Sequence, residues 1–174
     1  FFYHPIVRDI KAIITLSRSP NHLESFQRVA KILYLSATTQ HQVTSQTESG
    51  YLDYLTRLVT FNSTYQREKV RLFKQNLMKL PSLPCNRMMA FILNTLDYES
   101  YLIKKGFLKD EKGERLYTQG MAVLETLKMI AKDVDSHEAF LERLEHLRLI
   151  SEQSTTQAKG VNLLTFHASK GLEF

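Results

Sequence analysis

Residues 65–80 read YQREKVRLFKQNLMKL, and this segment decides the fold class because its apolar side chains recur with the period of an α-helix. Val70, Phe73, Leu77 and Leu80 fall on one face of such a helix, and charged side chains occupy much of the remainder. The segment therefore predicts an amphipathic helix with one buried face.

The same periodicity continues on both sides of this segment. Upstream, it predicts a helix that starts at Pro5, a second helix capped by Asn21 and Glu24, and a long polar connection over 36–49 that has room for one short helix. A further helix is expected to start at Tyr51.

Downstream, the predicted elements are an apolar helix over 88–96, a helix capped by Asp97 that ends at Gly106, and a helix over 116–130. A last helix follows a capping pattern formed by Asp135 and Glu138, and a polar linker is expected from Ser151 to Gly160. Residues 161–166 have the β-branched, apolar character of a short buried strand. We therefore predict an all-α fold followed by one strand that pairs with a sheet outside this chain.

Composition excludes several classes of protein. Hydrophobic residues make up 43% of the 174 residues and charged residues 24%, which is typical of a soluble globular protein. The single cysteine, Cys85, cannot form an intrachain disulfide, so a reducing, cytoplasmic location is expected. No apolar run is long enough to span a membrane, and no metal site or catalytic group is predicted. Both ends of the sequence look cut from a longer protein.

The net charge of +5 is concentrated in one stretch of the chain. Between Arg57 and Lys79 there are six basic residues and one acidic residue, Glu68. Arg67, Arg71 and Lys74 are spaced so that they share one face of the helix described first. A local basic face indicates a phosphate-bearing partner such as DNA, and the alternative is a solvated helix face without a partner.

The last fourteen residues, VNLLTFHASKGLEF, carry the most specific pattern in the chain. They resemble motif V of the superfamily 1 DNA helicases of the UvrD/Rep/PcrA type, in which a hydrophobic strand precedes Thr-x-His-x-x-Lys-Gly-Leu-Glu-Phe. The N-terminal Phe1-Phe2 and the following Ile6 to Ile10 are similar to the segment that enters the 2B accessory subdomain of these helicases. The resemblance implies three parts: a junction over 1–5, a helical 2B-like insertion over 6–153, and a return linker, strand and motif V over 154–174.

The resemblance also implies roles for individual residues near the C-terminus. In the family, the loop after the motif V strand lies along single-stranded DNA, so Thr165, His167 and Lys170 would contact DNA or organise the loop. Glu173 would reach the ribose of the nucleotide, and Gly171 would permit the tight turn between them. The basic residues Arg67, Arg71 and Lys74 would add a duplex contact.

The resemblance implies an ATP-driven helicase that moves 3′ to 5′ on DNA, with flanking RecA-like motor domains that bind ATP and Mg²⁺. This chain has no G-x-x-x-x-G-K-[ST] loop, so no ATPase activity or bound cofactor is expected of it alone. The family often grips duplex DNA through a Gly-Ile-Gly hairpin, but no glycine occurs before Gly50. The basic face is the expected substitute.

Two other functions fit the same sequence. The chain could be a non-enzymatic helical module for protein–protein contact, whose basic face meets an acidic partner. It could also be a fragment of a helicase–nuclease subunit, because those proteins share the motif V pattern. Salt-dependent binding with a preference for single-stranded or junction DNA favours the helicase interpretation over the protein-interaction one.

Overall fold

The computed structural model describes residues 1–46, 50–58, 64–108 and 114–156, with the side chains of 114–118 and 154–156 excepted. All regular secondary structure in these segments is helical, which confirms the predicted all-α fold. The α-helices are α1 (Pro5–Arg18), α2 (Leu23–Ile32), α3 (Ala37–Thr44), α4 (Tyr51–Arg57), α5 (Thr64–Leu77), α6 (Cys85–Ala90), α7 (Tyr98–Lys104), α8 (Glu114–Lys132) and α9 (His137–Thr156). A 3₁₀ turn, Leu80–Ser82, follows α5, and a π-helical turn, Phe91–Thr95, extends α6.

Helix α1 lies at the centre of the fold. It begins where the sequence predicts, with Pro5 in its first turn and His4 as the N-cap, whose Nδ1 accepts a hydrogen bond from the Ile6 N–H at 3.3 Å. Ile10 and Ile13 are fully buried together with Ile6. The helix packs against α2, α8 and the 3₁₀ turn, so apolar side chains cover most of its circumference.

The core confirms the apolar stripe predicted for α5. Val70, Phe73, Leu77 and Leu80 are all buried. They join a single hydrophobic cluster that also contains Phe26, Leu55, Met88, Tyr98, Leu127 and Phe140. The burial of this stripe fixes the rotation of α5 about its axis and therefore decides which of its basic residues reach the surface.

One polar network crosses this core. Asp9 of α1 is only 5% exposed. Its Oδ1 accepts a hydrogen bond from Arg28 Nε at 2.7 Å, and its Oδ2 accepts one from the Tyr98 hydroxyl at 2.9 Å. Burial raises the pKa of Asp9, and the two donors act in the opposite direction. The network joins α1, α2 and α7 through one buried carboxyl group.

The caps of α2 and α9 differ from those predicted. His22, and not Asn21, caps α2, because its Nδ1 accepts a hydrogen bond from the Ser25 N–H at 3.2 Å. Ser136, and not Asp135, precedes α9, and its Oγ accepts a hydrogen bond from the Ala139 N–H at 3.1 Å. Any side chain with a well-placed acceptor can cap a helix, so residue type alone misplaces the cap by one position.

The predicted Asp97 cap of α7 is also wrong. Asp97 precedes the helix, but its φ of 57° is left-handed and its side chain makes no capping hydrogen bond. Its carboxylate lies 3.5 Å from the Lys69 ammonium instead. The Asp97 carboxylate therefore pairs with Lys69 and does not accept a hydrogen bond from the backbone N–H groups of α7.

The described part of 36–49 agrees with the prediction of a connection with one short helix, whereas α9 is longer than predicted. The connection over 36–49 contains α3, which Ser36 caps through a 3.1 Å hydrogen bond from Thr39 N–H and which buries Val43 completely. Helix α9 continues to Thr156, although a polar linker was predicted from Ser151. The predicted strand at 161–166 and the motif V residues after it lie outside the described residues.

Candidate nucleic-acid interface

Helix α5 presents the basic residues that the sequence singled out. Because Val70, Phe73 and Leu77 face the core, Arg67 and Arg71 are exposed, and Lys74 lies at the edge of the buried face. Helical geometry places Arg67, Arg71 and Lys74 on one side of α5. These three residues form what we call the basic face of α5.

Two members of the basic face have acidic partners. Arg71 binds Glu68 through two hydrogen bonds, 2.8 Å from Nε and 2.6 Å from the terminal nitrogen, and these bonds lower the pKa of the Glu68 carboxyl. Lys74 forms an ion pair with Asp53 of α4. Ion pairs between exposed side chains are only weakly stabilising, so phosphate oxygens can replace the carboxylates at little cost.

The local charge count overstated the positive field of this region. Only Glu68 lies within the basic stretch, but the fold brings Asp53 and Asp97 to Lys74 and Lys69 from neighbouring segments. Lys79, at the end of the stretch, donates to Asn76 Oδ1 at 3.2 Å. The charge available on α5 is therefore smaller than the sequence suggests.

Lys69 points away from the basic face. Its ammonium lies 5.7 Å from the centre of the Tyr34 ring, at the turn after α2. Sequence periodicity does not connect Tyr34 with Lys69, because the two residues are 35 positions apart and α3 and α4 lie between them. Tyr101 lies next to Tyr34, with 5.9 Å between ring centres.

A cleft of about 370 Å³ opens between α1, α2 and α9. Its charged lining consists of Arg8, Lys11, Glu24, Arg28, Glu145 and Arg148. Two of the basic residues share one acidic partner: Lys11 lies 3.6 Å from Glu145, and Arg148 binds Glu145 at 2.6 Å. Polar contacts between α1 and α9 therefore form one side of the cleft, and four basic against two acidic side chains leave its lining with a net positive charge.

Other chemical groups support no catalytic centre in the described segments. The buried thiol of Cys85 has a raised pKa, which opposes formation of the nucleophilic thiolate. Over 1–46, 50–58, 64–108 and 114–156, no group of three His, Cys, Asp or Glu side chains is arranged to hold a metal ion. In the same segments, no helix combines the length and apolar character needed to cross a bilayer.

The C-terminal residues predicted from motif V fall outside this description. Thr165, His167, Lys170, Gly171 and Glu173 belong to 157–174, which the structure does not describe. Their roles stay predictions.

Comparison with known proteins gives one curated relative. The chain is 27% identical over 176 residues to "Putative ATP-dependent DNA helicase YjcD" of Bacillus subtilis (strain 168). The match covers all of this chain and 22% of that protein, so the chain spans about a fifth of its relative's length. No family model matches the chain, and no solved structure gives a significant match. The similarity supports a relationship to helicases.

Proposed function

We propose that this chain is the helical accessory region of an ATP-dependent DNA helicase of the UvrD type, comparable to a 2B subdomain. The observation that carries the proposal is the extent of the similarity to a protein named as a DNA helicase. It covers the whole chain, and therefore the helical body as well as the C-terminal motif. A similarity confined to the motif would have supported only the strand and loop.

The proposal divides the chain as the motif resemblance implies. Residues 6–153 form the helical insertion, and 1–5 and 154–174 connect it to RecA-like motor domains. Thr165, His167 and Lys170 would contact single-stranded DNA, Gly171 would shape the loop, and Glu173 would contact the nucleotide. ATP with Mg²⁺, bound by the motor domains, would supply the energy for 3′-to-5′ movement in the cytoplasm.

The helical insertion would regulate strand separation by contacting the junction between single-stranded and duplex DNA, or a regulatory protein. Arg67, Arg71 and Lys74 would bind backbone phosphates, because the ion pairs of Arg71 and Lys74 can be exchanged for phosphate contacts. Each phosphate contact would release bound counterions, so affinity would fall with salt.

Strand separation by the longer protein that contains this chain tests the helicase assignment. We expect ATP-dependent separation of a duplex with a 3′ single-stranded tail and much less with a 5′ tail. A preparation that hydrolyses ATP without separating either duplex would contradict the assignment.

Binding of labelled junction DNA by the 174-residue chain tests the basic face of α5. In anisotropy titrations between about 50 and 200 mM salt, the triple variant Arg67→Gln/Arg71→Gln/Lys74→Gln should lose up to about 2.7 from the slope of log affinity against log salt. The matched control, Lys128→Gln/Lys132→Gln/Arg143→Gln, removes the same charge from α8 and α9. Equal losses in both variants would mean that the basic face has no specific contact with DNA.

A further inference from the structure

Two tyrosines and three lysines meet where the ends of α2 and α7 approach α5. They are Tyr34, Lys69, Tyr101, Lys104 and Lys105, and we call them the tyrosine–lysine cluster. The ammonium groups of Lys69 and Lys104 lie 5.7 Å and 5.5 Å from the centre of the Tyr34 ring, and that of Lys105 lies 5.8 Å from the centre of the Tyr101 ring. These distances are those of cation–π interactions.

The tyrosine–lysine cluster packs on the buried core through Tyr101. Tyr101 stacks on Tyr98 at 5.7 Å between ring centres, with 19° between the ring planes. Tyr98 is fully buried, and its hydroxyl donates to Asp9, which also accepts a hydrogen bond from Arg28. The rings that hold the lysines are thus anchored in the polar network of the core.

Tyr34 occupies a backbone position that favours glycine. Its φ is 57°, and it ends α2 in a Schellman turn, with Leu35 N–H donating to Ala30 C=O at 2.9 Å. The equivalent turn after α7 uses Gly106, whose φ is 73°. A tyrosine here is strained, and because 44% of its surface is exposed, burial does not account for the strain. We therefore expect interactions of the Tyr34 side chain at the surface to offset this strain.

Nearby carboxylates neutralise little of the positive charge of the cluster. Lys69 is 3.5 Å from Asp97, but no carboxylate among the described residues lies within ion-pair distance of Lys104 or Lys105. An aromatic ring attracts an ammonium group without cancelling its charge. It also restricts the side chain beforehand, so less conformational entropy is lost when an anion binds.

We propose that the tyrosine–lysine cluster binds the sugar–phosphate backbone of DNA and forms a second contact surface where α2 and α7 approach α5. Lys69 and Arg71 are two residues apart and therefore about 200° apart around the helix, so this surface is distinct from the basic face. The inference rests on the proposed function for the identity of the partner. Lysines at the end of α7 also suit the helix dipole, but that effect requires no tyrosine at position 34.

Salt titration of DNA binding tests the lysines of the cluster. With a labelled duplex–single-strand junction, Lys104→Gln/Lys105→Gln should reduce the slope of log affinity against log salt by about 1.8, since each lost phosphate contact removes about 0.9. The control Lys128→Gln/Lys132→Gln makes the same change in net charge on α8 and should keep the original slope. Equal slopes for the two double variants would overturn the proposal.

Substitution of Tyr34 separates binding from folding. Tyr34→Gly relieves the backbone strain, so its midpoint of thermal unfolding should be at or above that of the unmodified chain. Its affinity for DNA should nevertheless fall about threefold, because Lys69 and Lys104 lose their cation–π contacts with the Tyr34 ring. A variant that binds DNA as tightly as the unmodified chain would contradict the proposal.

Two further results keep this proposal separable from the helicase assignment. If the longer protein fails to separate strands but the 174-residue chain binds DNA through the cluster, the assignment fails and the inference stands. If strand separation occurs but the cluster variants bind DNA normally, only the inference fails. Anionic phosphatidylserine vesicles provide the remaining comparison, since cluster-dependent binding to vesicles and not to DNA would overturn the DNA proposal.

Discussion

At the scale of single residues, His137 lies in an environment that is unusual for a histidine. It begins α9 with 3% exposure, and neither ring nitrogen has a hydrogen-bond partner among the described residues. Burial lowers its pKa, and the nearby Arg18, which is paired with Glu138, lowers it further. The folded state therefore holds the neutral imidazole.

This environment predicts a loss of stability on mild acidification. The pKa of His137 lies below 6.5 in the folded state, so the unfolded chain binds the proton first and stability falls as pH drops below about 6.5. The loss is at most about 1.4 kcal/mol per pH unit for one proton. Thermal unfolding at pH 7.5 and 5.5 should show a larger decrease for the unmodified chain than for His137→Phe. His4, whose pKa is also lowered, is present in both, so parallel decreases would contradict the prediction.

At the scale of elements, Gly120 sets how closely α8 approaches the turn after α7. A Cβ at this position would overlap the carbonyl oxygen of Phe107 and lie 3.6 Å from Leu108 Cδ2. Glycine inside a helix costs about 1 kcal/mol relative to alanine, so its presence here indicates that the close approach outweighs helix propensity.

Gly120→Ala should therefore destabilise the chain despite the better helix former. We expect a decrease of about 1–3 kcal/mol in the free energy of unfolding, because the overlap is with backbone and cannot be relieved by a side-chain rotation. Urea denaturation measures the change. The exposed neighbour gives the control, Gln119→Ala, which should change stability by less than about 0.5 kcal/mol. An unchanged or more stable Gly120→Ala would show that α8 can move away from the turn.

Elements were predicted well and their ends less well, for a physical reason. Helical periodicity is a property of the segment itself, so the buried stripe of α5 could be derived before any contact was known. The cap of α2 was misplaced by one position because residue type alone does not show that His22 has the well-placed acceptor, whereas the partner of Asp97 depends on a tertiary contact with Lys69. The same holds for the candidate site. The basic residues of α5 could be identified from the sequence of that segment, but their contacts with Asp53 and Tyr34 involve other segments of the chain.

At the scale of the whole molecule, α9 is joined to α1 by a series of polar bridges. The Tyr3 hydroxyl donates to Glu152 at 2.6 Å, Lys11 lies 3.6 Å from Glu145, and Arg18 pairs with Glu138. The bridging residues of α9 are spaced seven positions apart. Their numbers fall as those of their partners rise, so α1 and α9 are antiparallel. Apolar burial holds α9 near Phe140 and Leu144, whereas its second half has mainly exposed polar contacts.

The second half of α9 should therefore open before the rest of the fold. Hydrogen exchange should be faster in residues 146–156 than in 137–145, and Tyr3→Phe, which removes the hydrogen bond to Glu152, should accelerate exchange only in the former, by a few-fold. The control Lys128→Ala removes a pair within α8 and should leave both halves of α9 unchanged. Uniform exchange along α9 in all three proteins would contradict the prediction.

The same antiparallel arrangement has a mechanical consequence. Tyr3 and Glu152 are 149 residues apart in sequence but hydrogen-bonded in space, so a pulling force applied through residues 1 and 156 loads this bridge before the Lys11 and Arg18 bridges. The Lys11 and Arg18 bridges would then be loaded one at a time, in the manner of a zipper rather than of a shear joint. A fold pulled through residues 1 and 156 therefore yields at low force from the end where these residues lie, while the core around α1 keeps its shape.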